Sequence, residues 1–156
     1  MARIMSLHFS SEANRLMRRA ANEAERFRHE YIGTEHILLG LVKEDSGSAS
    51  VALKAINLDP RRIRVEVEQI MQHGPDFVTA PRLAHTPPAK RVFDYAREEA
   101  RDSNLEEVGT GHLLIALVRE TEGVAGTVLA NLGVSLDVVR REVERAAKPD
   151  DADADG

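Results

Sequence analysis

The feature that most constrains this chain is that it says the same thing twice. Residues 32–40 read IGTEHILLG and residues 108–116 read VGTGHLLIA. With a constant offset of 76 residues, 9–72 lies over 85–148 without a gap, and about 20 of about 64 positions are identical. The matches include Ala13 with Ala89, Ala20 with Ala96, Glu23-Ala24 with Glu99-Ala100, Leu41-Val42 with Leu117-Val118, and Leu53 with Leu129. These are mostly small or apolar positions, so the two halves share one packing plan.

The period within each half is helical. Ser10 or Ser11 can cap a first helix whose apolar positions Ala13, Leu16, Met17, Ala20, Ala24 and Phe27 recur every three or four residues. Its twin begins at Thr86, with Pro87 at the first helical position, where no N–H partner is needed. Gly33-Thr34 supplies a turn and a cap for a short helix over 35–43. That helix is apolar through Ile37, Leu38, Leu39, Leu41 and Val42 and is predicted to lie deep, so Leu38, Leu41, Leu114 and Leu117 should be buried. Ser46-Gly47-Ser48 breaks it, a third helix follows over 49–56, and a fourth over 60–71 presents Ile63, Val67 and Ile70 on one face. No run of alternating residues bounded by turns argues for a sheet. Aromatics are 4% and Trp is absent, so the core must come from aliphatic side chains, which suits helices. The predicted fold is all-α: eight helices in two pseudo-twofold-related four-helix repeats that form one compact domain. Repeat 1 is 9–72, a linker occupies 73–84 and repeat 2 is 85–148. An N-terminal segment 1–8 and a disordered acidic tail 149–156 flank them.

Composition then removes classes of function. A net charge of -5 offers no broad basic surface for phosphates, so general nucleic-acid binding is not expected. The clusters at Arg15, Arg18 and Arg19 and at Arg61, Arg62 and Arg64 are interrupted by core positions and read as solvated helix faces. With no cysteine, disulfides, thiolate zinc sites and cysteine nucleophiles drop out together. No apolar run approaches roughly 18 residues, and the first residues lack the apolar core of a secretory signal. The expectation is a cytoplasmic protein with no membrane partner. His36 and His112 invite a metal or general-base reading, but a zinc helix needs two histidines at i and i+4, and neither half has H-E-x-x-H. They are expected to pack and hydrogen-bond at the start of a buried helix. His8, His29, His73 and His85 fall at element ends or in the linker and look ordinary. No catalytic residue, metal or cofactor is called for.

Taken in order, FSSEA, IGTEHILLGLVKE, HTPPAKRV, VGTGHLLIALVRETEGVA and LANLGVSL resemble the double Clp N-terminal domain of the ClpA and ClpC class of AAA+ unfoldases, over residues 9–148. The resemblance implies the same helical pair of repeats and a non-catalytic module that docks substrates and adaptors for an unfoldase ring and its protease partner. The implied partners are Clp unfoldase or protease components, adaptor proteins or protein substrates. The alternative is a helical scaffold or regulatory interaction domain unconnected with proteolysis. No segment matches G-x-x-x-x-G-K-[ST], so the sequence holds no such nucleotide-binding loop. The short acidic tail argues for a free-standing protein over an excised N-domain.

The resemblance also implies a ligand. In ClpC members the glutamate of the GTEH motif receives the guanidinium of phosphorylated arginine, while a hydroxyl and backbone amides at the start of the first helix hold the phosphate. The physics is coherent, since a carboxylate meets a guanidinium in bidentate fashion and a helix N-terminus meets an anion. The matching residues are Glu35 with Ser10 in the first repeat and Gly111 with Thr86 in the second. Gly111 shows that the helix start needs no carboxylate, which singles out Glu35; the bland reading keeps Glu35 as a charge favoured by the helix dipole. Where Gly111 stands, a guanidinium would be left to water or to Glu106 or Glu107.

Overall fold

The computed structural model describes residues 7–71 and 83–147. The expected N-terminal segment, linker and acidic tail, with His73, lie outside the described residues apart from their edges. The described residues form eight helices and four two-residue strands: β1 (His8–Phe9), α1 (Ser11–Arg26), β2 (Tyr31–Ile32), α2 (Thr34–Glu44), α3 (Gly47–Ala55), α4 (Pro60–Ile70), β3 (Ala84–His85), α5 (Pro87–Asp102), β4 (Glu107–Val108), α6 (Thr110–Arg119), α7 (Val124–Asn131) and α8 (Leu136–Ala146).

The first helix of each repeat is amphipathic and capped as expected. Ser10 Oγ accepts from the Ala13 N–H at 3.1 Å, and Thr86 Oγ1 accepts from Ala89 N–H at 3.2 Å. Each satisfies one of the orphan donors of its first turn. One face of α1 buries Ala13, Leu16, Ala20 and Ala24, and the matching face of α5 buries Ala89, Val92, Ala96 and Ala100. The alanines of these faces, with Gly40 on α2 set against the Leu16 and Ala20 backbone, let the helices approach closely. The two short helices are apolar nearly all round and form the centre of the molecule: Leu38, Leu114 and Leu117 are 0% exposed and Leu41 is 3% exposed.

The repeats are interlocked rather than set side by side. α1 packs on α2 and α5 on α6, but α3 packs on α6 and α8, and α7 packs on α2 and α4. The third helix of each repeat thus completes the core of the other. The strands follow the same exchange. β1 pairs in parallel with β4, and β2 in parallel with β3. The absence of any sheet is therefore corrected: two minimal ladders exist, too short to show an alternating pattern. They hold the chain entering the first helix of one repeat beside the chain entering the second helix of the other.

A second correction concerns Thr34. The N-cap of α2 is Gly33, and Thr34 is already helical. Its Oγ1 accepts instead from Ala125 N–H at 3.1 Å, in the first turn of α7. Thr110 does the same in reverse, accepting from Ala49 N–H at 3.2 Å and donating to the Ser46 carbonyl at 3.0 Å. Each threonine caps the third helix of the opposite repeat. The approach is close, and a Cβ on Gly47 would run into Thr110 Oγ1 as one on Gly123 would run into Thr34 Oγ1; Gly47 also has φ +72.

Much of the charge in the sequence is spent internally. Glu44, 4% exposed, takes Arg15 at 2.9 Å and Arg19 at 2.8 Å. Its desolvation would raise the carboxyl pKa, but Arg19, Ser46 and Arg15 outweigh it and hold the group down at about 2. Glu120, its counterpart, takes Arg91 at 2.9 Å and the Gly123 N–H at 2.7 Å. Arg64 reaches Glu23 at 2.7 Å, and Arg140 reaches Glu99 at 2.8 Å. Arg15, Arg19 and Arg64 of the arginine clusters are cationic halves of these ties, and Arg61 pairs with Asp59, while Arg18 and Arg62 are exposed.

Candidate functional site

The expected ligand residues sit where strand pairing puts them. Thr86 N–H donates to the Ile32 carbonyl at 2.9 Å, and Ser10 N–H donates to the Val108 carbonyl at 2.9 Å. The first bond sets the start of α5 beside Gly33-Thr34-Glu35. The second sets the start of α1 beside Gly109-Thr110-Gly111. The structure therefore brings Glu35 together with Thr86, and Ser10 with Gly111. The within-repeat pairing of Glu35 with Ser10 is corrected: each corner is built from both repeats.

The two corners differ in chemistry. At the Glu35 corner the carboxylate is half-buried, folds back over Gly33 so closely that a Cβ there would meet Oε1, and has no hydrogen-bond or ion-pair partner among the described residues. The neighbouring start of α5 has no backbone donor to spare, because Pro87 and Pro88 have no N–H and that of Ala89 is taken by Thr86 Oγ1. What remains is the Thr86 hydroxyl hydrogen and Lys90, exposed one turn into α5. At the Gly111 corner the inventory is reversed. The N–H groups of Ser11 and Glu12 have no acceptor among the described residues, so amides are available, but no carboxylate is. Glu12 adds a negative charge to that first turn. Glu107, one of the substitutes considered for the missing carboxylate, is 3.3 Å from His8.

Gly111 is also a packing residue. A Cβ on it would collide with Ser48 Oγ of α3 and approach Val143 Cγ1 of α8. The side chains of the exchanged helix and of α8 have closed over the place where the first repeat presents Glu35.

The histidines of the motif are structural, as expected, with a specific role. Nδ1 of His36 accepts from the Gly33 N–H at 2.9 Å, and Nδ1 of His112 accepts from Gly109 N–H at 2.9 Å. Each closes the first turn from the third helical position. Accepting at Nδ1 requires the neutral ring with its proton on Nε2. Burial, and then the nearby His29, push the His36 pKa down to about 3. Burial lowers that of His112 too, against the opposing pull of Glu99. His29 is less ordinary than its place at an element end suggests: it is buried, and its Nδ1 lies 2.7 Å from His36 Nε2. No group of three or more potential metal-ligating side chains occurs among the described residues.

Sequence reasoning missed Lys90 as a member of the Glu35 corner. The signal was present in the HTPPAKRV stretch, but it pointed to repeat 2, and only the strand exchange carries it to Glu35.

The chain matches the family model of the Clp repeat (R) N-terminal domain over residues 8–132 and 84–154. The chain belongs to that family. An ATP-dependent Clp protease ATP-binding subunit, the ClpA homolog of Porphyra purpurea, is 47% identical over 135 residues, which cover 86% of this chain and 16% of the relative. The negative regulator of genetic competence ClpC/MecB of Bacillus subtilis is 44% identical with the same coverage. The chain thus spans about a sixth of the length of the curated relatives it matches. Among solved structures, the N-terminal domain of the chaperone ClpD of Arabidopsis thaliana superposes with a TM-score of 0.72 at 22% identity, covering 94% of this chain and 99% of that one. The N-domain of ClpV from Vibrio cholerae gives 0.74 at 12% identity, covering 94% and 96%. At these identities the likeness establishes a shared fold. Among the described residues no helix is long and apolar enough to cross a membrane.

Proposed function

We propose that this Clp repeat domain is a non-catalytic, cytoplasmic binding module that docks protein substrates or adaptors for Clp-type ATP-dependent unfolding and proteolysis. The observation that carries the reading is the family membership, with relatives that are themselves ATP-binding subunits of Clp protease. A ClpV N-domain of the same fold has been solved with a VipB peptide, which supports peptide docking as a use of such a scaffold.

Within that role, the Glu35 corner is the recognition point for an arginine phosphorylated on its guanidinium. The unpartnered Glu35 carboxylate receives the guanidinium N–H groups, while the Thr86 hydroxyl and the Lys90 ammonium receive the phosphoryl oxygens. Ser10 belongs to the other corner, where the amides of α1 lack a carboxylate partner, so one site per chain is functional. Repeats 1 and 2 act as one unit, because neither corner is built from a single repeat.

The test uses an unfolded protein phosphorylated on arginine. The immobilised chain should retain it and should release it after arginine-phosphatase treatment. Equal retention of both forms would remove phosphoarginine from the reading. Retention of neither, with no association with a ClpC-type ATPase, would remove the docking role.

A further inference from the structure

The second repeat contains a cavity of about 250 Å3 lined by residues that include Ser103, Leu105, His112, Ile115, Val143 and Ala147. The first repeat shows what belongs there. The turn after α1 and the turn after α5 have the same backbone: His29 N–H donates to the Ala24 carbonyl and Leu105 N–H to the Ala100 carbonyl, each at 2.9 Å, and Arg28 and Asn104 have φ 58 and φ 60. On that shared backbone the side chains differ. Phe27, His29 and Met71 of repeat 1 correspond to Ser103, Leu105 and Ala147 of repeat 2. Phe27 and His29 are buried with their ring centroids 6.0 Å apart, whereas Leu105 is 42% exposed. The space that two rings fill in one repeat is left open in the other.

The polar group facing this space is also unmatched. His36 and His112 have the same tautomer, set by the backbone N–H that each accepts at Nδ1. Nε2 of His36 then donates to Nδ1 of His29. Nε2 of His112 has no partner among the described residues, although His112 is only 6% exposed and forms part of the cavity wall. That N–H opens into the cavity, where only a water or a ligand can supply the acceptor that His29 supplies to His36.

We propose that this cavity binds a neutral imidazole-type ring, whose sp2 nitrogen accepts from His112 Nε2–H as His29 does from His36. The ring face packs against Ile115, Val143 and Ala147. Of the charged groups around it, Glu99 and Arg140 are paired with each other, while Asp102 and Glu144 are exposed carboxylates able to accept the N–H of the ring. The site shares no residue with the Glu35 corner and does not depend on the phosphoarginine reading.

The experiment is an NMR titration of the whole chain with imidazole at millimolar concentration. Above the probe's own pKa, which for free imidazole lies near neutrality, saturable shifts should appear at the His112 ring and at the methyls of Leu105, Ile115 and Val143, with the His36 ring unmoved. The response should fade as the pH falls through that value, because imidazolium cannot accept a hydrogen bond; a response that grows instead would mean mere attraction of a cation to Asp102 and Glu144 and would overturn the proposal. Leu105→His and, independently, Ser103→Phe should each weaken the response about tenfold or more by refilling the space. Toluene, which lacks the acceptor, should bind more weakly than imidazole. No saturable shift in the unmodified chain, or equal binding of toluene, would refute the inference. Binding of free imidazole alone assigns the cavity to small heterocycles, and binding of the peptide Gly-Gly-His-Gly-Gly as well assigns it to a protein histidine; both support it.

Discussion

Repeat 1 and repeat 2 share a backbone plan down to the left-handed residue after the first helix, yet they treat the same two places in opposite ways. Repeat 1 presents a free carboxylate, Glu35, at the start of its second helix and fills the space beneath that helix with Phe27 and His29. Repeat 2 closes the first place with Gly111 packed against Ser48 and Val143, and leaves the second open around His112. Buried charge differs as well. Glu99 is gripped by Arg140 through two contacts and by Arg119 at 2.9 Å, while Glu23 has Arg64 on one oxygen and Oε1 without a partner. The shared elements, the buried leucines and the crossed threonine caps, are those that both halves need to fold. The features that differ sit at surfaces and cavities, where one copy can change while the other keeps the original.

The largest effects should be those that ignore the difference. Leu38→Ala and Leu114→Ala occupy matched positions at full burial, and each should cost about 2–5 kcal/mol in denaturant unfolding. A loss under about half a kcal/mol in either would mean that its helix is not central.

Acid should separate the repeats. His36 has a folded pKa of about 3 against the usual 6.5, so the unfolded chain binds more protons in between. Stability from this group is complete above about pH 6.5 and is lost as the pH falls towards 3. Glu44, held at about 2, contributes its own loss only below the ordinary carboxylate range, so the stretch from pH 6.5 to 5 reports on histidine. His36→Gln should flatten the fall in melting temperature across that stretch. His112→Gln should flatten it less, because Glu99 offsets part of the burial of His112. Equal slopes in the two variants would erase the distinction.

Gly111→Glu and Glu35→Ala are unequal for a steric reason. The first must displace Ser48 and Val143 and should cost about 1–3 kcal/mol. The second removes a half-exposed helix-start charge and should cost at most about 1 kcal/mol. Thr34→Ala and Thr110→Ala should each lose about 0.5–2 kcal/mol of cap, with Thr110 at the upper end because it both accepts and donates. Restoration by Thr→Ser at either site would confirm that the hydroxyl carries the effect.

Much of this fold was legible in the chain. The offset repeat, the caps at Ser10 and Thr86 and the all-round apolar runs over Leu38 and Leu114 led to eight helices in matching pairs. The exchange of third helices was not legible, because helical periodicity shows which face is buried but not what covers it, and an ungapped repeat suits two adjacent bundles as well as two interlocked ones. The same gap in information hid which helix start stands beside Glu35. Glu35 and Ser10 are in one repeat by sequence, and only the bond from Thr86 N–H to the Ile32 carbonyl shows that Glu35 faces the other repeat's helix. Thr34 was assigned to its own helix because a cap and a first helical residue differ by one position, and the sequence does not resolve that step. The difference at Gly111 was plain from the letters, but the packing that makes it hard to reverse was not.

The central proposal is that, of the two diverged corners, only the Glu35 corner forms a phosphoguanidinium site. Titration calorimetry with free phosphoarginine tests it most directly. The account predicts a stoichiometry near one per chain, abolished by Glu35→Ala with helix content unchanged, weakened by Lys90→Ala and indifferent to Ser10→Ala. A stoichiometry near two, or binding that survives Glu35→Ala and disappears with Ser10→Ala, would contradict it.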